Sequence, residues 1–443
     1  MDGSEALDLA RWQFALTAAA HFLFVSLTLG LATFVTAVQT WAVLRRGSGQ
    51  SAPYARMVRF WGQLYVVNYA VGIVTGIVME FQFGLAWSGL GHYAGNVFGA
   101  SLAMETVVAF FVESTFLGLW IFGWNRFGPR VHCALLWVVT GTAYLSAYWI
   151  LVANGFLNHP VGHTGTGHGI ELTDAGAVLT NPSALLAFGH IAGGAAVTAA
   201  FFVAGVSAYH LFRYRGTGGD GGDGGDGAAL FRRSLRIAAF ASPPALLVTA
   251  AFGGIQFSAL ASFQPMKDAV WKAEAAEIAR LQADLAERFG PGDYVPSEAL
   301  TRGAAMLMLL AFALMFHVSL GSALLALFRP AVERFRAWHL LLMAVVPLPY
   351  VAMTAGWVFR EAGRQPWVVY GLLRTEDALS DVSAGAMRVS LAVFGTLFAL
   401  LLAVNWWLLL RTARRGPEDV ALGRDERAPD GEPSPGPDPV PSY

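Results

Sequence analysis

Residues 12–44 read WQFALTAAAHFLFVSLTLGLATFVTAVQTWAVL, an apolar stretch without a single Asp, Glu, Lys or Arg. About 20 apolar residues in an α-helix cross the roughly 30 Å hydrocarbon core of a bilayer. The stretch is long enough to span a membrane, and eight further stretches of the same kind follow it. The nine predicted spans are residues 12–44, 57–81, 97–124, 131–153, 183–212, 236–262, 303–328, 338–360 and 386–410.

The composition of the whole chain agrees with a membrane protein. Of its 443 residues, 55% are hydrophobic and 13% are charged, whereas soluble globular proteins carry about 25% charged residues. The formal net charge of −1 argues against nucleic acid as a partner. Cys133 is the single cysteine, which excludes an intrachain disulfide, a CxxCH haem attachment and a cysteine-ligated iron–sulfur cluster. We therefore expect an all-α, polytopic membrane protein without a soluble domain.

The distribution of basic residues predicts the orientation of the spans. The connectors after the odd-numbered spans carry several Arg each, whereas the opposite connectors 82–96 and 154–182 contain no Lys or Arg. Short loops rich in Lys and Arg stay on the cytoplasmic side of a membrane. We therefore expect the N-terminus outside and the C-terminus inside.

The chain divides into a membrane domain, residues 1–415, and a tail, residues 416–443. The tail is rich in Pro, Asp and Glu and is predicted to be disordered. GTGGDGGDGGDG at 216–227 is predicted to be a flexible cytoplasmic linker. Residues 263–302 form a long connector, which we expect to be an external loop.

Four ionisable residues lie well inside predicted spans: His21, Glu105, Glu113 and His190. Such residues are costly in hydrocarbon and are usually functional. His21, Glu105 and His190 lie roughly 8–12 residues past the outer ends of their spans, which predicts a common layer in the outer half of the membrane. Met306 and Met308 begin the seventh span near that level. A His and a Met are suitable axial ligands for a low-spin haem iron, while the alternative is that each His only hydrogen-bonds a neighbouring carbonyl group.

Glu105 and Glu113 are eight residues apart in AMETVVAFFVEST. In an α-helix, eight steps of 100° place them about 80° apart around the axis and ~12 Å apart along it. This geometry favours a relay that carries protons from the cytoplasmic side to a buried centre. The alternative is a pair of protonated carboxyl groups that bond to neighbouring helices.

Five stretches of the chain carry recognisable motifs. They are WQFALTAAAHFLFVSLTLG at 12–30, GIVTGIVMEFQFGLAWS at 72–88, FGASLAMETVVAFFVESTFLGLWIFGWNR at 98–126, AYWILVANGF at 147–156 and GRQPW at 363–367. The chain thereby resembles the cytochrome bd quinol oxidase subunit I family from about residue 10 to residue 412. The resemblance implies a haem-containing subunit of a terminal oxidase. Such a subunit passes electrons from quinol or another donor to O₂ and takes protons from the cytoplasm.

The resemblance also implies cofactors, ligands and partners. His21 matches the position of a high-spin haem ligand, His190 that of the low-spin haem b ligand, and Glu105 and Glu113 match the acidic pair of the family. The implied cofactors are low-spin haem b, a second, high-spin haem b and haem d. The implied partner is a second oxidase subunit, either like subunit II or a paralogue of subunit I, in a cytoplasmic membrane of bacterial type.

The connector 263–302 resembles the short version of the quinol loop in this family. Gln264 and Lys267 in QPMK match the start of the quinol motif, but Lys272 stands where the family has a Glu. Because quinol oxidation needs a proton acceptor, Glu274 is the candidate replacement. Further matching positions are Arg302, Arg364, Gln365 and Trp367.

Two departures concern haem ligands. In PLPYVAMTAGW, Thr354 stands where the resemblance implies a haem-ligating Glu, which predicts one haem fewer if no other side chain takes over. The family has its low-spin haem Met two residues after an Arg, whereas Arg302 is followed there by Ala304, so that Met306 and Met308 are the candidates. Two main interpretations remain, a catalytic subunit and a haem-poor, non-catalytic partner subunit of a bd-like complex.

Overall fold

The computed structural model describes residues 2–46, 51–166, 169–214 and 225–424 as a bundle of helices. Nine segments in these ranges are long and apolar enough to cross a membrane, which confirms the prediction of nine spans. Because nine is an odd number, the first span begins and the last span ends on opposite faces. We name these faces the N-side and the C-side. Which face is outside the cell stays a prediction.

The helices that build the spans follow one another with short connections. In chain order they are α1 Asp2–Leu44, α2 Ser51–Ala86, α3 Ser88–Met104, α4 Phe111–Phe122, α5 Pro129–Asn158, α6 Ala175–Leu179, α7 Pro182–Tyr214, α8 Gly225–Phe263, α9 Pro265–Lys272, α10 Ala275–Phe289, α11 Glu298–Ala326, α12 Arg329–Arg334, α13 Arg336–Ala344, α14 Leu348–Ala362, α15 Thr375–Ala378 and α16 Ala384–Arg415. Short helices in this series, such as α9 and α10, lie in the connectors.

A π-helix, Glu105–Phe110, joins α3 to α4 in the third span. Its hydrogen bonds run from residue i to residue i+5, so that one turn holds more residues than a turn of α-helix. The predicted angle of about 80° between Glu105 and Glu113 assumed α geometry throughout and is therefore wrong. π-helical turns occur frequently at functional sites, and this one begins at one of the two candidate carboxylates.

Helix α7 packs closely between α1 and α8. A Cβ atom at Gly30 of α1 would lie 2.1 Å from the carbonyl oxygen of Ala195 in α7, and one at Gly193 of α7 would lie 2.6 Å from Oγ1 of Thr249 in α8. Only glycine permits these approaches, as is usual where membrane helices touch. The close packing fixes the position of His190, which precedes Gly193 by one turn.

The two largest apolar clusters of the described residues lie toward the two faces of the bundle. The C-side cluster contains the fully buried Trp61 and Trp120, and the N-side cluster contains Phe156, Val369 and Ala378. Large aromatic side chains bury some 150–250 Å² each and dominate such packing. Because Val369 and Ala378 come from a connector, the N-side connectors are part of the folded core.

The N-side connectors contain short strands and the helices α6, α9, α10 and α15. Strands β1 His163–Thr166 and β2 Gly169–Leu172 pair antiparallel, as do β3 Trp367–Val369 and β4 Leu373–Arg374. The predicted external loop contains α9 and α10, and Ala273, with a φ angle of 61°, turns the chain between them. This loop is therefore a folded cover on the N-side.

The chain after α16 folds back onto the C-side of the bundle. Residues Pro417–Asp419 form a 3₁₀ turn. The side-chain oxygen of Gln63 then accepts hydrogen bonds from the backbone N–H groups of Ala421 (2.7 Å) and Leu422 (3.3 Å). Leu422 is buried in the C-side cluster, so the folded part of the chain extends beyond the predicted boundary at residue 415.

The two predicted flexible segments fall largely outside the described residues. Helix α8 begins at Gly225, so only the end of the predicted linker 216–227 is described. The tail is described as far as Arg424. Flexibility of the remaining residues of both segments stays a prediction.

Candidate functional site

A cavity of about 320 Å³ lies among α7, α8, α11 and α14. Its walls are largely apolar, with side chains such as Leu246 and Phe312, and His190 and Met308 both line it. A mostly apolar cavity with a few well-placed polar groups is typical of cofactor sites. This space is the candidate functional site, because it brings a predicted His ligand and a predicted Met ligand together.

His190 is oriented by the backbone of α8. Its Nδ1 lies 2.8 Å from the main-chain carbonyl oxygen of Thr249, so that Nδ1–H is the donor. The lone pair is then on Nε2, to which no hydrogen bond forms within the described ranges. A Cβ atom at Gly253 would lie only 3.0 Å from the imidazole Cε1 and Nδ1. Held in this way, the ring has its lone pair on Nε2, which is the usual arrangement in a His that ligates a metal through this nitrogen.

The structure distinguishes the two candidate methionines. Met308 lines the cavity, and its Sδ lies 2.9 Å from the position that a Cβ atom at Gly356 would take. Met306 is 62% exposed. Side chains two residues apart on a helix point about 200° apart, so only one of them can face the cavity. Met308 is therefore the methionine placed to act with His190.

Thr354 does not line this cavity. Its neighbour Met353 does, and the Sδ of Met353 accepts a hydrogen bond from Oγ1 of Thr198 at 3.5 Å. The presence of Thr354 in place of the family's Glu therefore removes no ligand from the site that His190 and Met308 form. The loss of one haem stays a prediction, and it concerns another part of the molecule.

His21 is oriented by a side chain of α2. Its Nδ1 lies 2.9 Å from Oγ1 of Thr75, and the same Oγ1 lies 2.7 Å from the carbonyl oxygen of Gly72. A Cβ atom at Gly76 would lie 3.2 Å from the imidazole Cε1. As for His190, a hydrogen bond holds Nδ1 and a glycine leaves room for the ring. The shared layer of His21, His190 and Glu105 stays a prediction.

Glu105 belongs to a polar group at the start of the π-helix. Its Oε1 accepts a hydrogen bond from Oγ of Ser146 in α5 at 2.6 Å. Oγ1 of Thr106 lies 3.2 Å from the carboxylate of Glu80 in α2 and 3.5 Å from that of Glu105. The sequence pattern did not single out Glu80, although it is the acidic residue of the motif MEFQFG. Three helices thus contribute polar groups to one place.

Glu113 is buried in the third span. It is 7% exposed, and the hydroxyl groups of Tyr65 and Tyr69 lie close to its carboxyl group. Tyr69 is near enough to Glu113 and to Ser114 for hydrogen bonds, but their geometry in the described residues is poor, and Oε1 of Glu113 is among the atoms without a well-formed hydrogen bond. Buried polar atoms normally have well-formed hydrogen bonds, and each exception needs an explanation. These side chains are therefore candidates for a proton path.

A buried cluster of charges adjoins the N-side end of the cavity. Oε2 of Glu361 accepts a hydrogen bond from Nη2 of Arg364 at 2.5 Å, and Oε1 accepts one from Nδ2 of Asn154 at 2.9 Å. Nε of Arg360 donates to Oδ1 of Asn154 at 2.7 Å. Arg360 and Lys267 line the cavity. Arg360 and Glu361 carried no sequence-based expectation, although three charges within five residues at the end of a span, REAGR, are a visible signal.

Gln264 and Lys267 of the predicted quinol motif join this cluster. Nε2 of Gln264 donates to the backbone and side-chain oxygens of Asn158, both at 2.9 Å. Nζ of Lys267 donates to the carbonyl oxygen of Arg360 at 3.1 Å and lies 4.5 Å from the ring centroid of Phe359. Burial, with a smaller contribution from the positive charge of Arg360, lowers the pKa of Lys267 to about 7. The amine is therefore partly neutral near pH 7.

Lys272 and Glu274 lie outside the buried cluster. Lys272 forms an ion pair with Asp268 at 2.6 Å, and the hydrogen bond that its amine donates to this carboxylate raises the pKa of Lys272. Glu274 is exposed beside the turn at Ala273. Glu274 therefore does not lie beside Lys267. Lys272, at the position where the family has a Glu, is on the surface as well.

Gln365 and Trp367 of the GRQPW motif hold the connector between α14 and α16 in place. Oε1 of Gln365 accepts a hydrogen bond from Oγ1 of Thr375 at 2.9 Å. Trp367 is buried and stacks on Tyr294, with ring centroids 5.8 Å apart. Arg302 is exposed in the first turns of α11. GRQPW therefore contributes Arg364 to the charge cluster and uses its other side chains for packing.

Comparison with known proteins agrees with the motifs. The sequence profile of the family Cytochrome bd terminal oxidase subunit I matches residues 9–288 and 287–417. Cytochrome bd ubiquinol oxidase subunit 1 of Bacillus subtilis (strain 168) is 35% identical over 469 residues, which cover 95% of this chain and 97% of that protein. Cytochrome bd-II ubiquinol oxidase subunit 1 of Escherichia coli (strain K12) is 31% identical, with 93% and 97% covered.

The fold has a solved counterpart as well. The structure of bd oxidase from Geobacillus thermodenitrificans superimposes with a TM-score of 0.79, covers 94% of this chain and 100% of that chain, and is 24% identical in sequence. This likeness shows the fold, while the profile and the two relatives cover almost the whole membrane domain. The chain therefore belongs to the cytochrome bd terminal oxidase subunit I family.

Proposed function

We propose that this chain is a haem-containing, catalytic subunit of a bd-type terminal oxidase in a bacterial-type cytoplasmic membrane. It would oxidise quinol and reduce O₂ together with a second subunit. The observation that carries the proposal is the cavity in which His190 presents Nε2 and Met308 lies nearby. Relatives that are named ubiquinol oxidase subunit 1 support quinol as the donor and a multisubunit complex.

The residues of the cavity fit haem. A neutral imidazole and a thioether are axial ligands for a low-spin haem b. Gly194 and Gly254 also line the cavity, and a Cβ atom at either would meet no other atom within 4 Å, so that backbone forms part of a flat, open wall. His190 and Met308 would hold the low-spin haem b, and His21 a high-spin haem. Bound haem supplies one-electron transfer and, at an iron with an open position, oxygen chemistry.

The buried N-side charge cluster would bind quinol and accept its proton. Gln264 is fixed by Asn158, and Lys267 lines the same cavity as His190. Oxidation of a quinol releases protons as well as electrons. Because the pKa of Lys267 is about 7, its neutral amine can accept a proton from a quinol hydroxyl group near neutral pH. Lys267 therefore provides the proton acceptor that Lys272 and Glu274 do not.

Proton supply for oxygen reduction is proposed to use Glu113 and Glu105. Glu113 is buried in the third span close to the hydroxyl groups of Tyr65 and Tyr69, and Glu105 accepts a hydrogen bond from Ser146. A carboxyl group can take up a proton from one side and release it to a base on the other, which is the property that a relay needs. Glu113 would pass protons from the C-side toward Glu105.

The proposal is tested on the complex purified with its partner subunit. We expect a haem b α-band, extractable haem and O₂ consumption when quinol is added. Absence of haem would overturn the proposal. Haem with no quinol-driven O₂ consumption would instead support a non-catalytic partner subunit.

A further inference from the structure

The motif GIVTGIVMEFQFGLAWS contains Thr75 and Gly76, which both lie against His21. Thr75 lies on α2 and is fully buried. It meets His21 of α1 across the contact between the two helices, at 2.9 Å from Oγ1 to Nδ1. A Thr hydroxyl in a helix often bonds only to a carbonyl of its own preceding turn. Thr75 makes that bond to Gly72 and has a second contact with an imidazole.

The two contacts of the Thr75 hydroxyl determine the direction of each hydrogen bond. A hydroxyl group has one proton to donate and can accept two hydrogen bonds. The carbonyl oxygen of Gly72, 2.7 Å away, can only accept, so it takes the hydroxyl proton. The oxygen of Thr75 then accepts from Nδ1–H of His21. The proton of a neutral imidazole is thus on Nδ1, and Nε2 carries the lone pair.

Gly76 limits the ring from a second direction. A Cβ atom at this position would lie 3.2 Å from Cε1 and 3.7 Å from Nε2 of His21. Contacts as short as 3.2 Å between such atoms require one neighbour to move. The backbone of α2 at Gly76 therefore lies beside Cε1, the carbon between the two ring nitrogens, while Thr75 holds Nδ1.

We propose that Thr75 is a positioning residue, which fixes the tautomer and orientation of His21 so that Nε2 is the iron ligand. The inference rests on the proposed function, in which His21 binds a high-spin haem. Groups that accept a hydrogen bond from a metal-bound His orient the ring and increase its basicity, and their removal costs about 10–100-fold in metal affinity or activity. The carbonyl oxygen of Thr249 has the same relation to His190, but it belongs to the main chain.

The experiment compares Thr75→Val with Thr75→Ser in the purified complex. Val keeps the shape of Thr without the acceptor, and Ser keeps the acceptor. Resonance Raman spectra of the reduced high-spin haem report the iron–histidine stretch, and titration reports its reduction potential. We expect Thr75→Val to lower the stretching frequency, raise the potential and weaken haem retention by about 10-fold or more. Thr75→Ser should restore all three values.

Two further variants make the result specific. Thr142→Val is a matched control, since among the described residues Oγ1 of Thr142 bonds only to carbonyl groups of its own helix, and it should leave the spectrum unchanged. If Thr75→Val does not assemble, Thr75→Ala removes the acceptor without adding a contact and is expected to give the same shifts. A wild-type stretch and potential in an assembled Thr75→Val or Thr75→Ala complex would overturn the inference.

His21→Ala separates this inference from the proposed function. Loss of the high-spin haem in His21→Ala, with unchanged spectra in Thr75→Val, contradicts only the role of Thr75. Retention of that haem in His21→Ala contradicts the ligand assignment itself, and the inference falls with it.

Discussion

His190 and His21 are held by the same kind of hydrogen bond but from different sources. In both, Nδ1 is bound by an oxygen of a neighbouring helix, at 2.8 Å for His190 and 2.9 Å for His21. The acceptor for His190 is the main-chain carbonyl of Thr249, which every residue at that position supplies. The acceptor for His21 is a side-chain hydroxyl, which a single substitution removes. The hydrogen bond that orients His190 is therefore insensitive to the side chain at position 249, whereas the one that orients His21 depends on the side chain at position 75.

The surroundings of the two histidines also differ. His190 lines an apolar cavity with Met308, next to a buried charge cluster that includes Lys267. His21 lies on a helix pair that is joined by polar contacts, among them the hydrogen bonds of Thr17 and Gln82. A thioether beside an imidazole suits a haem that transfers electrons, while a single His suits a haem that reacts with oxygen. Under the proposed function, His190 would therefore serve electron entry and His21 oxygen reduction.

The largest expected effect follows from the contrast between Met308 and Met306. Leu has nearly the volume of Met but cannot ligate iron. We expect Met308→Leu to abolish the low-spin α-band and to convert the haem at His190 to a high-spin spectrum. Met306→Leu, at a 62% exposed position, should leave the band intact. Equal effects of the two substitutions in absorbance spectra would contradict the ligand assignment.

The variant Glu113→Gln tests whether proton delivery can be blocked while the haems that His190 and His21 would bind are retained. Gln has the shape of Glu but cannot release a proton near neutral pH. We expect Glu113→Gln to slow O₂ consumption by roughly 100-fold, a typical contribution of a proton-transfer group, with full haem content. The exposed Glu171 on β2 is the matched control, and Glu171→Gln should not alter turnover. Unchanged oxygen-electrode rates in Glu113→Gln would refute the relay.

Two glycines test how closely His190 is held. A Cβ atom at Gly253 would lie 3.0 Å from the imidazole, whereas one at Gly303 of α11, which does not line the cavity, would meet nothing within 4 Å. Overpacking of this kind costs about 1–3 kcal/mol. We therefore expect Gly253→Ala to reduce the low-spin haem content and shift its α-band, while Gly303→Ala does not. Normal haem-to-protein ratios in both variants would show that the ring is free to move.

The smallest expected effect concerns the pH dependence of quinol oxidation. Lys267 is charged well below its pKa of about 7 and neutral above it. Because the neutral amine accepts the quinol proton, kcat/KM should rise several-fold as the pH increases through about 7. Lys267→Met should flatten this rise, and Lys272→Met, at the exposed ion pair with Asp268, should retain it. A rise that persists in Lys267→Met would assign the proton to another acceptor.

Much of the fold and part of the site were accessible from the sequence. Hydropathy alone predicts the nine spans, because hydrocarbon admits only long apolar helices. The rarity of ionisable groups in such helices then points to His21, Glu105, Glu113 and His190. Both steps use only the local sequence, so the number of spans and the ionisable residues within them can be predicted without the fold.

The remaining features depend on contacts between distant parts of the chain. Whether Met306 or Met308 faces the cavity depends on the rotation of α11 against α7, which no local pattern determines. Glu361 accepts a hydrogen bond from Asn154, which is 207 residues away in the sequence. Thr75 contacts His21 because of how α1 and α2 are aligned along their axes. The π-helix at Glu105 breaks the α periodicity on which angular estimates rest.

The central claim is that His190 and His21 ligate different haems. It is tested most directly by absorbance spectra and haem-to-protein ratios of the purified complex with His190→Ala and, separately, with His21→Ala. We predict that His190→Ala loses the low-spin α-band and keeps the high-spin signal, while His21→Ala loses the high-spin signal and keeps the α-band. Loss of the same signal in both variants, or of no signal in either, would contradict the account.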